Sequence, residues 1–144
     1  MRPINRHVSL LFRMGERFLN RELAGSGLSS GTAPLLLELR DGGNRSPVAI
    51  AAAIGVDKAY VTRAIQSLKR AGYVDIAPAA VDRRSVSVSL TEKGLAVTGR
   101  VENAMRAWVT IISRGVRQAD WGTVNVVFDQ FYLNAQEYFI SKEE

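Results

Sequence analysis

One face of the segment from Asp57 to Val74 carries mainly cationic and hydrogen-bonding side chains. Apolar residues recur there at three- and four-residue spacing, which predicts an amphipathic helix with a buried apolar stripe. The stripe consists of Val61, Ala64, Ile65 and Leu68. The opposite face carries Lys58, Ala59, Tyr60, Thr62, Arg63, Gln66, Ser67 and Arg70. Guanidinium, amide and hydroxyl groups arranged in this way are suited to the edges of bases and to phosphates.

Individual side chains on this face fit individual partners in a DNA groove. Arg63 is suited to a guanine edge and Gln66 to an adenine edge, because each can form two hydrogen bonds to that base. Thr62 and Tyr60 can reach phosphates or a thymine methyl group, and Lys58 in the first turn lies nearer the phosphates. A solvated surface face is the alternative explanation, and taken alone these side chains fit it equally well.

The sequence before this helix predicts a second short helix and a tight turn. Ser46 followed by Pro47 is typical of a helix cap with proline in the first turn. The helix from Pro47 to Ile54 ends at Gly55, which is suited to the left-handed conformation, and Asp57 caps the helix that follows. Two short helices joined by a glycine-containing turn form a helix-turn-helix unit.

Past Gly72 the apolar period changes from helical to alternating. The stretch RSVSVSLT alternates valine or leucine with serine, which predicts a half-buried antiparallel strand paired with GYVDIA. Between them, PAAVDRR predicts a projecting hairpin with Asp82, Arg83 and Arg84 at its tip. A narrow minor groove attracts arginine, and a carboxylate can hold a guanidinium in a fixed orientation. An ordinary charged hairpin is the alternative.

Long amphipathic helices are predicted on both sides of this unit. Arg6 to Glu22 reads as one helix, and a second runs to about Arg40 with Ser29 or Thr32 as its cap. A third begins after Thr91. The last third of the chain holds more large apolar residues than two isolated helices can hide: Trp108, Ile112, Trp121, Phe128, Phe131 and Phe139. An intertwined dimer is therefore favoured over packing within one chain.

Composition excludes several classes of site. The chain of 144 residues has no cysteine and one histidine, His7, so thiolate zinc sites and multi-histidine metal sites are excluded. The longest uncharged apolar run is half of a membrane span, and no signal peptide is evident, so a cytoplasmic protein without a membrane association is expected. Residues 1–45 and 46–95 each carry seven Lys or Arg against four acidic residues, which suits a polyanion.

The segments DKAYVTRAIQSLKRAGYV and DRRSVSVSLTEKG resemble the MarR (multiple-antibiotic-resistance) family of winged-helix transcriptional regulators. The most specific piece is D-R-R in the wing followed by L-T-E-K-G, and the resemblance covers nearly the whole chain. It implies a homodimer with interlocking terminal helices that binds a near-palindromic operator in double-stranded DNA. By this resemblance Asp82 and Arg84 form the wing pair, while Tyr60, Thr62, Arg63 and Gln66 lie on the recognition face.

The resemblance also sets expectations for organisation and regulation. The fold is expected to be mainly α with a small antiparallel β-wing in one MarR-type domain. Residues 1–25 would form an N-terminal dimerisation helix, 28–94 the winged helix-turn-helix and 95–144 the C-terminal dimerisation helices. The expected function is a homodimeric repressor released by a small aromatic or anionic ligand. Phe12, Arg13 and Arg17 are candidates to clamp a carboxylate, with solvent-exposed arginines as the alternative.

Other functions fit the sequence less well. No phosphate-binding glycine loop, paired nucleophile or acidic pair indicates an enzyme, and no cofactor is expected. A winged helix used for protein contact and a DNA-binding protein that responds to no ligand stay open. Salt dependence separates DNA binding from protein contact, because phosphate neutralisation makes the affinity fall steeply with salt.

Overall fold

The computed structural model describes residues 4–80 and 85–141, and within them the chain is mainly helical with one two-stranded sheet. In chain order the elements are α1 (Ile4–Glu22), α2 (Ala33–Gly42), α3 (Pro47–Ile54), α4 (Lys58–Arg70), β1 (Val74–Pro78), β2 (Val86–Leu90), α5 (Glu92–Ile112), a short 3-10 helix (Gln118–Asp120) and α6 (Trp121–Ile140). The chain forms two compact units, Met1–Val109 and Thr110–Glu144. The predicted fold class, a helical protein with a small antiparallel wing, is confirmed.

The core of the first unit is built from one apolar stripe of each element. Its largest fully buried side chains are Leu23, Leu35, Leu36, Ile50, Leu68, Val61, Val74, Val88 and Val101. They come from the position just after α1, from α2 to α5 and from both strands, so every element of the winged unit contributes to one apolar cluster. This shared core fixes α4 relative to the paired strands β1 and β2, which form the wing stem.

The helix-turn-helix follows the predicted capping pattern. The Ser46 hydroxyl accepts a hydrogen bond from the Ala49 amide at 3.2 Å, and α3 ends at Gly55, whose φ of 71° is left-handed. The Asp57 carboxylate accepts from the Tyr60 amide at 2.7 Å and so begins α4. Each cap satisfies amides at a helix start that lack an intrahelical partner, which explains why the two helices begin where they do.

The wing stem pairs in the predicted antiparallel sense but extends beyond the core. Val74 pairs with Leu90 and Pro78 with Val86. The expectation that Val86, Val88 and Leu90 all share a buried face is wrong at its outer end, because Val86 is 43% exposed whereas Val88 is fully buried. A third segment joins the base of the wing, since the Arg45 amide donates to the Val88 carbonyl at 3.0 Å and the Val88 amide donates back at 2.8 Å. No local sequence pattern indicates this bridge.

The start of α2 agrees with the second of the two predicted caps. Thr32 occupies the N-cap position and Pro34 lies in the first turn, where its missing amide hydrogen costs little. The Thr32 side chain forms no cap hydrogen bond to the helix. Its hydroxyl instead accepts from the Ser29 amide at 2.9 Å, so both candidate residues contribute to one turn ahead of the helix.

The second unit leaves its apolar side chains at the surface. None of the α6 residues is buried, and Phe128, Phe131 and Phe139 are 51%, 45% and 67% exposed. An edge-to-face contact joins Phe128 and Phe131 at 6.1 Å between ring centroids. Among the described residues, no helix has both the length and the apolar content needed to cross a bilayer.

Candidate nucleic-acid interface

The outer face of α4 presents most of the predicted contact residues. Lys58, Ala59, Thr62, Arg63, Gln66 and Arg70 are exposed, and Ser67 is half-buried. The inner face buries Val61, Ala64, Ile65 and Leu68, as the spacing predicted. Burial of this stripe in the core fixes the rotation of the helix about its axis, which leaves the cationic and amide groups pointing outward.

The cations of this face carry no internal counter-charge. Among the described residues, no salt bridge involves Lys58, Arg63 or Arg70. Their charge is therefore available to an external anion. When such groups neutralise phosphates of duplex DNA, the cations condensed on the DNA are released, and this release drives binding. The Thr62 hydroxyl donates to the Lys58 carbonyl at 2.9 Å, so it can face a partner with its methyl group and as a hydrogen-bond acceptor.

Tyr60 corrects the expectation that it faces outward with these residues. Its side chain is half-buried against the core, and its hydroxyl donates to the Gly31 carbonyl at 3.1 Å. The sequence held a signal for this, because Tyr60 lies four residues before the buried Ala64 and so shares a helical face with it. Tyr60 therefore links the first turn of α4 to the loop ahead of α2.

The C-terminal end of α4 is attached to the beginning of α5. The Lys93 ammonium donates to the Ala71 carbonyl at 2.7 Å and lies 4.7 Å from the centroid of the Tyr73 ring. The Thr91 hydroxyl donates to the Gly72 carbonyl at 2.8 Å and accepts from the Gly94 amide at 2.9 Å, which confirms Thr91 as the cap of α5. Lysine at a helix C-terminus also offsets the negative end of its dipole.

Gly94 permits the close approach on which this attachment depends. It is buried, and a Cβ added there would overlap the Tyr73 carbonyl oxygen of the backbone. The Thr91 amide donates to that same carbonyl at 3.0 Å. The sequence T-E-K-G is thus the junction that holds α5 against the end of α4. The sequence alone indicates the motif but gives no role to Lys93 and Gly94.

The three residues expected at the wing tip, Asp82, Arg83 and Arg84, lie outside the described residues. The stem that leads to them continues past the paired strands, since the Ala79 amide donates to the Ser85 carbonyl at 2.9 Å. The stem therefore remains antiparallel as far as the structure describes it.

Arg40 is engaged elsewhere and is not part of the cationic face. The Arg40 guanidinium donates hydrogen bonds to the carboxylates of Asp41 and Glu102, which raise the pKa of Arg40, and it in turn lowers the pKa of Asp41. Its Nη1 lies 2.8 Å from the Glu102 carboxylate, which ties α2 to α5. Its charge is compensated within the chain.

A cavity of 330 Å³ lies in the first unit beside α1. Sites for small ligands begin at roughly 300 Å³, so this volume is sufficient for one. Phe12 lines the cavity, as the clamp hypothesis requires, but Arg13 and Arg17 do not. Arg17 instead lines a separate shallow depression with Phe18 and Arg21. The proposed carboxylate clamp is therefore not assembled at this cavity.

The charge at this cavity is acidic. Glu16, which no sequence pattern marked as a site residue, is the one charged residue among the described residues that line it. No group of three or more His, Asp or Glu side chains suited to a metal ion occurs within residues 4–80 and 85–141.

Comparison with known proteins agrees with this geometry. A model of the MarR family matches residues 26–85, which contain α2, α3, α4 and β1. A MarR transcriptional regulator from Methanosarcina mazei Go1 superposes with a TM-score of 0.88 at 25% identity, covering 94% of this chain and 97% of that one. The chain is therefore similar to the MarR family, over residues 26–85 in sequence and over nearly its whole length in fold. The Methanosarcina mazei protein is described as a transcriptional regulator, which agrees with the prediction that this chain is a regulator and not an enzyme.

Further MarR relatives place the match in context. The multiple antibiotic resistance protein MarR of Salmonella typhimurium is 27% identical over 95 residues, and the alignment spans 66% of either chain. A mutant MarR from E. coli complexed with operator DNA has a TM-score of 0.81 at 21% identity, covering 90% of this chain and 94% of that one. Bordetella bronchiseptica BpsR, whose DNA binding is regulated by 6-hydroxynicotinic acid, has a TM-score of 0.82 at 21% identity, covering 91% and 94%. These two structures share the fold.

Proposed function

We propose that this protein is a MarR-type, sequence-specific DNA-binding transcriptional regulator, in which α4 enters the major groove and the wing contacts the minor groove. The outer face of α4 carries the proposal, because it combines exposed guanidinium and amide groups with cations that have no counter-charge among the described residues. A major groove about 12 Å wide admits one helix. Arg63 and Gln66 would read bases, while Lys58 and Arg70 would contact phosphates.

The remaining predicted residues have supporting roles in this proposal. Ala59 would let the start of α4 approach the duplex closely, and Ser67 would lie at the edge of the contact. Asp82, Arg83 and Arg84 would form the wing contact. Tyr60, whose hydroxyl is engaged with Gly31, would act by holding the first turn of α4 and not by contacting DNA.

The regulator is proposed to act as a homodimer. Exposed aromatic residues along α6, with no buried residue in that helix, support an interface with a second copy. Burial of apolar surface contributes roughly 25 cal/mol per Å², so several phenylalanine side chains can sustain a stable pair. Two-fold pairing would also place two recognition helices about 34 Å apart, one turn of DNA. A near-palindromic operator follows from that symmetry.

Repression that is released by a small aromatic ligand completes the proposal. One support is the cavity beside α1, because Tyr60 of α4 lines it. Another is BpsR, whose DNA binding is regulated by 6-hydroxynicotinic acid. The ligand of BpsR is an aromatic acid, but Arg13 and Arg17 do not line the cavity of this chain, so its structure offers no partner of the expected clamp for a ligand carboxylate. A regulator of this kind would act in the cytoplasm with the genome.

DNase footprinting on the DNA upstream of the protein's own gene tests the proposal. We expect a protected, near-palindromic site, and an affinity that falls steeply between low and moderate salt because phosphates are neutralised. Arg84→Ala should weaken binding with little change in base preference at the major-groove positions. Wild-type affinity in both Arg63→Ala and Arg84→Ala would refute the assignment. An affinity that is independent of salt would indicate protein contact instead.

A further inference from the structure

The cavity beside α1 has aromatic walls and one charged group. Phe12 and Trp108 line it from α1 and α5, and Gly15 lies between them with a missing side chain that makes room for the Trp108 indole. The indole is held in place by Phe18, with 5.5 Å between ring centroids. A volume of 330 Å³ accommodates a single substituted ring.

Glu16 sets the electrostatic character of this cavity. Among the described residues, no hydrogen bond or ion pair occupies its carboxylate, and no lysine, arginine or histidine lines the cavity. A ligand carboxylate would be repelled by this group, whereas a ligand cation would be attracted. Aromatic rings also favour a cation over their faces.

The loop ahead of α2 adds an acceptor for hydrogen bonds. Gly31 and Tyr60 both line the cavity, and the Gly31 carbonyl accepts from the Tyr60 hydroxyl at 3.1 Å. A ligand with N–H groups could donate to this carbonyl and to the Glu16 carboxylate. A ligand carboxylate has no hydrogen to donate to either group. The two acceptors therefore favour the same class of occupant.

We infer that this cavity binds small aromatic cations with N–H donors, such as aryl amidines or arylamines in their protonated form, and selects against aromatic carboxylates. The inference deepens the proposed ligand response and rests on it for its regulatory meaning. An occupant that donates to Gly31 competes with the Tyr60 hydroxyl and so acts directly on the first turn of α4. A ligand shifts a conformational equilibrium only through such a differential contact.

Benzamidine and benzoate test the inference, because they match in shape and have opposite charge. Binding of each to the full-length protein is measured by titration calorimetry in the absence of DNA. We expect benzamidine to bind at least about tenfold more tightly than benzoate, since a unit charge near an unpaired carboxylate readily supplies the equivalent of one decade in affinity.

The location of the binding site is measured by fluorescence. Trp108 and Trp121 are the two tryptophans of the chain, so Trp121→Phe leaves Trp108 as the sole indole. Benzamidine should change the fluorescence emission of Trp108 over the concentration range in which calorimetry detects binding. Binding that leaves the Trp108 emission unchanged would place the ligand elsewhere and overturn the inference.

Glu16→Gln provides the decisive comparison. This change keeps the size and removes the charge, so the preference for benzamidine over benzoate should fall to near unity. Glu22→Gln is the matched control, because Glu22 is an exposed acidic residue at the end of the same helix and does not line the cavity. The inference is overturned by a benzoate affinity equal to or above that of benzamidine, by an unchanged preference in Glu16→Gln, or by no binding of benzamidine.

These outcomes are separable from those of the proposed function. The titrations contain no DNA, so a wild-type protein that fails to bind its upstream region would refute the regulatory proposal and leave the ligand preference standing. Conversely, a clear footprint together with a preference for benzoate would retain the regulator and reject the aromatic cation. When the footprinting experiment is repeated with ligand, benzamidine should weaken the footprint of the wild type, whereas benzoate at the same concentration should not.

Discussion

The helices α4 and α6 use their apolar residues in opposite ways. In α4 the four residues of the apolar stripe are buried in the core of the first unit, and the outer face is cationic and polar. In α6 no residue is buried, and phenylalanine and tyrosine side chains remain at the surface. The helix α4 therefore offers a partner only charge and hydrogen bonding, whereas α6 still has apolar area to bury.

This difference indicates two kinds of partner on one chain. Exposed guanidinium groups bind phosphate well, whereas exposed aromatic residues lower the free energy most when another apolar surface covers them. A helix that has satisfied its hydrophobic side within its own chain can present its polar side without risk of aggregation. A helix that has not done so needs a complementary protein surface.

The largest expected effect comes from the apolar face of α6. Phe128→Asp combined with Phe131→Asp should convert the proposed dimer into a monomer, because two buried carboxylates would have no partners. Operator affinity should then fall by about 100-fold or more, since the two half-sites are no longer bound by one linked molecule. Sedimentation equilibrium and fluorescence anisotropy measure the two effects. Asp129→Asn on the same helix is the control, and an unchanged dimer in the double variant would contradict the proposal.

Two glycines of α5 test the anchoring of α4 to the first unit. Gly94→Ala should lower the free energy of unfolding by about 2 kcal/mol, because its Cβ would overlap the Tyr73 carbonyl oxygen. Gly99→Ala should raise it by about 0.5–1 kcal/mol, since a Cβ there meets no other atom and alanine favours the helix. Urea denaturation at one fixed protein concentration measures both. Equal effects of the two changes would show that the junction is not closely packed.

The outer face of α4 is tested by its arginine. Arg63→Ala should weaken operator binding by about 1–3 kcal/mol and relax the base preference at one position in each half-site. Arg114→Ala removes an exposed guanidinium from the second unit and serves as the charge-matched control. Competition binding with operators mutated at single positions gives the preference. If both variants lose affinity equally and retain the preference, Arg63 acts as a general charge and does not read a base.

A smaller effect is expected from the junction that holds the end of α4. Lys93→Met should weaken operator binding about threefold, since a cation at a helix C-terminus contributes roughly 0.3–1 kcal/mol. Lys93→Arg keeps a donor for the Ala71 carbonyl and should restore binding. Faster hydrogen exchange at the end of α4 in the methionine variant, measured without DNA, would support a positioning role. An arginine variant as weak as the methionine variant would contradict it.

Short-range features of the fold were predictable from the sequence. Ser46, Gly55, Asp57 and Thr91 act at helix ends through groups within three or four residues, so their types alone indicate where helices begin and end. The burial of the α4 stripe follows in the same way from helical spacing. The exposed residues of that helix could be named because the stripe fixes which side remains.

Long-range features could not be predicted in this way. The bond between Tyr60 and Gly31 joins residues 29 positions apart, and the bridge between Arg45 and Val88 depends on how the first unit folds. The acidic cavity also depends on long-range packing, because Glu16 and Trp108 line the same cavity only when α5 packs beside α1. Two arginines one turn apart suggested a clamp, but helical spacing does not tell which side of α1 borders a cavity.

The bridge between Arg45 and Val88 has a mechanical consequence for the arm that leads to the wing tip. The strand β2 pairs with β1 along its length, and at Val88 its other edge pairs with Arg45, whereas nearer the tip the described residues pair with β1 alone. Bending is therefore concentrated beyond Val88, which acts as a fulcrum. In the proposed complex with DNA, the stem beyond Val88 would adjust to grooves of different width while its inner end keeps its place, so local variation in duplex shape would not require α4 to move.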